Sequence, residues 1–218
     1  MARTADKLIS DIRKEVSSGI LKPGDQLEVN ALAERFGVSR TPIREAIRTL
    51  VESGVLETRP RKGSFVRVLS AKQLLDLFQV AAELEGMACR LAALSLTKEN
   101  VEAIERGLAK CTQAAEAQNN AEYAMANLDF HTAIHNASGN DWLIEQLRQL
   151  QINLNSYRTM PYEIRGRLKK STDEHKIICD AILSGDGEHA CNLMRDHMML
   201  QGKRLPSIIA TLEQQKNN

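Results

Sequence analysis

Phe36-Gly37-Val38-Ser39-Arg40-Thr41-Pro42-Ile43-Arg44-Glu45-Ala46 reads as the end of one helix, a tight turn at Gly37, and a second helix with Pro42 in its first turn. Proline loses nothing there, because the first backbone N–H groups of a helix have no intrahelical acceptor; Ser39 or Thr41 can cap them. Beyond the turn, Ile43, Ala46, Ile47, Leu50 and Val51 recur at the 3.6-residue spacing of a half-buried helix. Arg40, Arg44 and Arg48 run along the same helix, the first two near its amino end. This is the layout of a helix-turn-helix whose second helix enters the major groove of DNA.

Upstream, residues 3–18 carry Leu8, Ile9, Ile12 and Val16 at helical spacing and stop at Gly19. Pro23-Gly24 marks a turn, and a short helix is expected over about 30–35. Downstream, the second helix of the motif spans roughly 40–53 and stops at Gly54, a residue suited to a left-handed helix end. Two short strands, 55–59 and 64–68, are joined through Pro60-Arg61-Lys62-Gly63, a hairpin with a basic tip. Gly63 permits close backbone approach to a phosphate or groove wall. Three helices followed by such a hairpin make a winged helix-turn-helix.

Ser70-Ala71-Lys72-Gln73 has the pattern of a capping box and opens a different regime. No proline occurs between Pro60 and Pro161, and helices are expected at about 71–95, 98–118, 121–137, 141–159, 163–184 and 187–214. Met160-Pro161 interrupts the chain and residues 214–218 are expected to fray. The fold class is therefore mainly α. A winged helix-turn-helix over 1–69 precedes an all-α bundle of six or seven helices over 70–218.

Charge divides at the same place. Residues 1–69 hold 13 Lys/Arg against 9 Asp/Glu, and residues 70–218 hold 16 against 19, so a basic module precedes a slightly acidic one. Cys89, Cys111, Cys179 and Cys191 form no C-x-x-C pair and read as reduced, buried thiols. Neither an export signal nor a run of 18 apolar residues is evident, so a cytoplasmic protein without a membrane partner is expected. Aromatic residues are only 4% of the chain, which argues against stacking on single-stranded nucleic acid. No H-E-x-x-H, nucleophile elbow or phosphate loop is present, so an enzyme, including a metal-dependent one, is not expected.

With these elements in order, the chain resembles the GntR family of bacterial transcription regulators, in the FadR-type branch whose helical effector domain is called FCD. The resemblance rests on Leu21–Leu27, Leu32–Ala46 and Arg61–Val66 in the first part. In the second it rests on Leu84-Glu85 with Arg90-Leu91-Ala92-Ala93, on Phe130-His131 with Ile134, on Glu174–Ile178, on Ala181-Ile182 and on Arg195–Met198. The length after residue 70 is nearer the six-helix VanR-like subgroup. The resemblance implies that Arg40 and Arg44 reach guanine edges and that Gly63 reaches the minor groove. An Arg fork pairs bidentately with guanine O6 and N7, so the physics agrees. Asn30 stands where some relatives have another arginine. Ser39 and Thr41 are expected phosphate contacts, while Arg48, Arg59, Arg61 and Lys62 add non-specific attraction.

All five histidines follow residue 130. Asn127, His131 and His135 share a helix face, and His175 and His197 each lie mid-helix among apolar residues, so three imidazoles from three helices can converge inside a bundle. Many FCD domains bind a divalent metal through three histidines and an Asp or Asn four residues before the first. That resemblance implies Asn127, His131, His175 and His197 as ligands. Asp129 is passed over because two residues along a helix faces away. Zinc is the default, with nickel or another transition metal also suited to imidazole. His135 and His189 are expected to be structural or surface residues.

The resemblance also implies that Arg90 lies near the effector cavity. The plainer reading is an ion pair with Glu83 or Glu85. The functional expectation is a homodimeric regulator, a repressor in the commoner family outcome, that binds double-stranded operator DNA. A small carboxylate metabolite near the metal would control it. The alternative is a metal-free regulator that senses an apolar ligand.

Overall fold

The computed structural model describes residues 5–17, 19–158, 162 and 164–199. It divides into two compact units, one of Met1–Leu69 with Gln151–Ser156 and one of Ser70–Leu150 with Tyr157–Asn218.

The first unit runs α1 (Ala5–Ser17), β1 (Gln26–Leu27), α2 (Val29–Phe36), α3 (Arg40–Glu52), β2 (Leu56–Arg59) and β3 (Gly63–Val66). Leu8, Ile12 and Val16 line the buried face of α1 and join Leu27, Leu32, Ile43, Ala46, Ile47, Leu50, Val55, Leu56 and Val66 in one core. Gly37 ends α2 at φ 65°, where the Gly37 N–H donates to Glu34 O (3.2 Å) and the Val38 N–H to Ala33 O (3.0 Å). That pair of bonds is a Schellman stop, which needs a left-handed residue and so favours glycine. Gly54, at φ 74°, stops α3 with the same pair of bonds, to Val51 O and Leu50 O. Ser39 is the N-cap of α3, but its side chain makes no capping bond and Thr41 lies inside the helix.

The sheet departs from the sequence reading. Its order is β1-β3-β2, all antiparallel, with Gln26 opposite Phe65 and Leu56 opposite Val66. Residues 26–27, read from sequence as part of a turn segment, are a strand that flanks the hairpin. The hairpin strands are also shorter than expected, at four residues each.

The second unit is helical throughout its regular structure: α4 (Ala71–Leu94), α5 (Lys98–Glu116), α6 (Asn120–Ala137), α7 (Asp141–Arg158, of which Gln151–Ser156 group with the first unit) and α8 (Arg167–Leu183), then α9 over 187–199. These are six helices among the described residues. The expected capping box is present at Ser70: its hydroxyl accepts from the Gln73 N–H, and Gln73 Oε1 accepts from the Ser70 N–H. Helix α8 starts at Arg167 rather than 163, after Gly166 in the left-handed region at φ 78°. Met160-Pro161 and residues 200–218, including the rest of the expected last helix and its fraying end, lie outside the described residues.

Helices α5 and α6 cross closely at Gly107, where an added Cβ would stand 2.8 Å from the Phe130 Cα. That close approach brings α6 into the interior, with Tyr123, Asn127, Phe130, His131, Ile134 and His135 all buried on it.

Candidate nucleic-acid interface and candidate metal centre

In the first unit one concave face of about 650 Å³ is lined by Asn30 from α2, by Arg40, Arg44 and Arg48 from α3, and by Gly63 from the wing. Gln26 of β1 lines it as well, and its Nε2–H donates to Lys62 O at 2.7 Å, tying the wing tip to the strand before α2. Gly63 sits at φ 96°, a conformation in which a side chain would be strained. Ser39 and Thr41 are exposed at the amino end of α3.

The arginines are not equivalent. Arg40 and Arg44 are exposed and make no ion pair among the described residues, which leaves both guanidinium forks free. Arg48 leans to Glu52 at 3.6 Å, one turn along α3. Arg59 is committed to the sheet: it pairs with Glu57 at 2.7 Å and stacks over the Phe65 ring at 4.3 Å. Arg59 therefore contributes to the wing's own structure more than to the basic surface expected of it.

In the second unit the structure gathers three of the expected ligands. His131 on α6, His175 on α8 and His197 on α9 are each at most 2% exposed, and one ring nitrogen of each lies within 4.8 Å of the others. His175 Nε2 and His197 Nε2 are 3.2 Å apart. Two ligand atoms bound at about 2.0–2.1 Å in a tetrahedral site stand roughly 3.3 Å apart, so the observed spacing suits a shared cation. Asn127 is 4% exposed one turn before His131, and its Oδ1 is buried with no hydrogen-bond partner among the described residues. An orphaned buried acceptor one helical turn before His131 is costly unless something donates to it or is coordinated by it. Asp129 faces away and pairs with Lys110 at the surface, at 2.8 Å.

Two carboxylates stand behind the histidines, and sequence reasoning gave neither a role at this centre. Glu85 of α4 is 1% exposed, and its Oε2 accepts from His131 Nδ1 at 2.9 Å and from His135 Nε2 at 2.8 Å. Burial works against ionisation of Glu85, but the two adjacent imidazoles outweigh it and hold the carboxyl well below its usual range. Glu174 of α8 accepts from His197 Nδ1 at 2.7 Å and from both terminal nitrogens of the buried Arg167 at 3.2 Å. Burial again opposes ionisation, yet those hydrogen bonds from His197 and Arg167 bring Glu174 down to about 2.

His135, expected to be structural or at the surface, is buried in this network, whereas His189 is exposed. Arg90 is not gathered with the histidines: it is 41% exposed and pairs with Glu188, while Glu83 pairs with Arg195. Among the described residues, the Lys or Arg that is buried in the interior is Arg167. Glu85 had a legible signal, since it occupies a stripe of α4 otherwise filled by Leu74, Phe78, Ala81, Ala88 and Ala92.

All four cysteines are free and buried, and burial pushes the Cys111 thiol up to about 12 and that of Cys179 to about 11. They are inert packing groups. Among the described residues no helix is long and apolar enough to cross a membrane.

Comparison with known proteins agrees with both halves. Residues 4–66 match the gntR family of bacterial regulatory proteins, and residues 76–199 match the FCD domain. The HTH-type transcriptional regulator McbR of Escherichia coli (strain K12) is 30% identical over 210 residues, covering 95% of this chain and 92% of its own. The "Probable D-xylose utilization operon transcriptional repressor" of Paenarthrobacter nicotinovorans is 30% identical over 184 residues, covering 84% and 80%. The solved structure of E. coli McbR/YncC superposes with a TM-score of 0.81 at 28% identity, covering 99% of this chain and 100% of that one. The chain thus belongs to the gntR family of bacterial regulatory proteins, with an FCD domain behind its winged helix-turn-helix, and is a DNA-binding transcription regulator rather than an enzyme.

Proposed function

We propose that this regulator is a homodimeric repressor whose FCD domain holds a divalent metal, zinc by default, and releases operator DNA when a small organic acid binds beside that metal. The observation that carries the reading is the buried trio His131, His175 and His197, with the orphaned Asn127 Oδ1 on α6 one turn before His131. Those four residues would hold the ion, which when bound supplies a Lewis-acidic anchor for an anionic group.

Charge favours an acid over an apolar ligand. Two carboxylates, Glu85 and Glu174, face the histidines, and one guanidinium, Arg167, pairs with Glu174; with neutral rings these three leave one negative charge. A divalent ion turns that into one positive charge, and a single carboxylate cancels it. An uncompensated charge inside a protein costs several kcal/mol, roughly, so a monoanion is the ligand this interior accepts best.

The dimer is supported by α4. Leu77, Val80, Leu84, Met87, Leu91 and Leu94 follow the alternating three- and four-residue spacing of a helix–helix seam, and none of the six is fully buried. Packed against a second copy in the antiparallel sense, residue 77 meets 94, 80 meets 91 and 84 meets 87, so the seam is self-complementary as a two-fold axis requires. Paired winged helices then suit two half-sites of an inverted repeat. Repression follows the relative from Paenarthrobacter nicotinovorans, which is named a repressor. The effector must favour the DNA-incompetent state by a coupling of about 1–3 kcal/mol.

The test is to recover bound genomic fragments, measure their affinity for zinc-loaded protein, and titrate organic acids. Loss of affinity with an acid, abolished in His175→Ala, supports the reading. Identical operator affinity and acid response in metal-free and zinc-loaded protein refutes it.

A further inference from the structure

An ionised carboxylate only accepts hydrogen bonds, so the ring nitrogen facing it must carry the proton. His131 meets Glu85 through Nδ1, and His197 meets Glu174 through Nδ1. In its neutral form each ring then presents the Nε2 lone pair, and His197 Nε2 stands 3.2 Å from His175 Nε2. The two carboxylates arrive from different helices, α4 and α8, and each is held from behind. His135 donates a second bond to the same Glu85 oxygen that His131 uses, and Arg167 grips Glu174 through two nitrogens. A ring donating to a fixed carboxylate is both oriented and made a more basic ligand.

We propose that Glu85 and Glu174 are positioning residues that set the metal affinity of this centre, with His135 and Arg167 as their anchors. The inference rests on the metal reading above. Neither carboxylate is a ligand: each acts through the histidine it faces.

The test uses full-length protein purified without an affinity tag, zinc alone as the probe, and competition with a chromophoric chelator. Glu85→Gln and Glu174→Gln keep the shape of each side chain and remove its charge. Each is expected to weaken zinc binding by about 10- to 100-fold. Histidine ring 15N spectra should show the Nδ1–H form of His131 lost selectively in Glu85→Gln, and that of His197 lost selectively in Glu174→Gln. If Glu85→Gln does not fold, Glu174→Gln carries the test, since Glu174 is 17% exposed and less tightly enclosed. Unchanged zinc affinity in both variants, while His175→Ala abolishes binding, overturns this inference and leaves the metal reading standing. Failure of the wild-type protein to bind zinc overturns both.

Discussion

Replacing Arg44 by alanine is the sharpest perturbation of the DNA-binding half. Arg44 is exposed and makes no ion pair among the described residues, so removing it breaks nothing in the folded protein. Surface substitutions of this kind usually shift stability by less than about 0.5 kcal/mol. All of its effect should therefore fall on the complex. A bidentate pair with guanine is worth about 1–3 kcal/mol of discrimination, which is about 5- to 150-fold in affinity for the correct base over a wrong one. The assay is fluorescence anisotropy with an operator duplex recovered from genomic fragments, a duplex with one guanine of each half-site exchanged, and a scrambled duplex. Arg44→Ala should lose affinity for the operator, lose little for the scrambled duplex, and become indifferent to one exchanged guanine. If it instead weakens operator and scrambled duplex alike, and lowers the salt slope by about one phosphate, Arg44 is a backbone contact and the direct-readout reasoning is wrong. Arg59→Ala makes the contrast, because its ion pair and its stacking on Phe65 predict a loss of stability with base preference intact.

Three further expectations follow from the geometry. Gly107→Ala puts a Cβ 2.8 Å from the Phe130 backbone, so α5 and α6 must separate; a cost of about 1–3 kcal/mol should appear as a lowered melting temperature. Glu174, down from 4.5 to about 2 in the folded protein, stabilises fully above the ordinary carboxylate range and loses that contribution as pH falls toward about 2. Glu174→Gln should therefore flatten the decline of stability between those limits in acid denaturation followed by circular dichroism, and an acid limb identical to wild type contradicts the shift. Leu84→Glu with Met87→Glu at the centre of the α4 seam should give a folded monomer by light scattering; a variant dimer of undiminished affinity rules the seam out.

Local rules made much of the chain legible. Gly37 and Gly54 mark helix ends because only a left-handed residue closes the Schellman bonds, and Ser70 with Gln73 announces α4 through a reciprocal cap. What local rules missed was long-range. Gln26–Leu27 has no periodicity of its own and becomes a strand only because β3, almost forty residues later, offers it an edge. Helix α8 starts later than the expected 163 because left-handed Gly166 sets the helix entry. At the histidine centre, the i, i+4 spacing placed Asn127, His131 and His135 on one face, but spacing is silent about what faces them. Glu85 and Glu174 come from other helices or other turns, and their role is visible only as distances to ring nitrogens. Arg90 shows the same limit: its ion-pair partner is Glu188, almost a hundred residues away, where the local sequence offered Glu83 or Glu85.

The two-residue strand β1 has a consequence for how operator preference can be transferred. It is hydrogen-bonded to β3 and lies immediately before α2, so the wing and the helix-turn-helix are stitched at both ends of a single stretch, residues 26–66. Exchanging the α3 helix alone between relatives leaves the donor's reading helix beside the recipient's wing, joined by a seam that neither parent selected. Exchanging 26–66 as one cassette carries the helix, the wing and their shared strand together. Specificity in this protein is thus a modular part whose natural cut points are the turn before Gln26 and the end of β3.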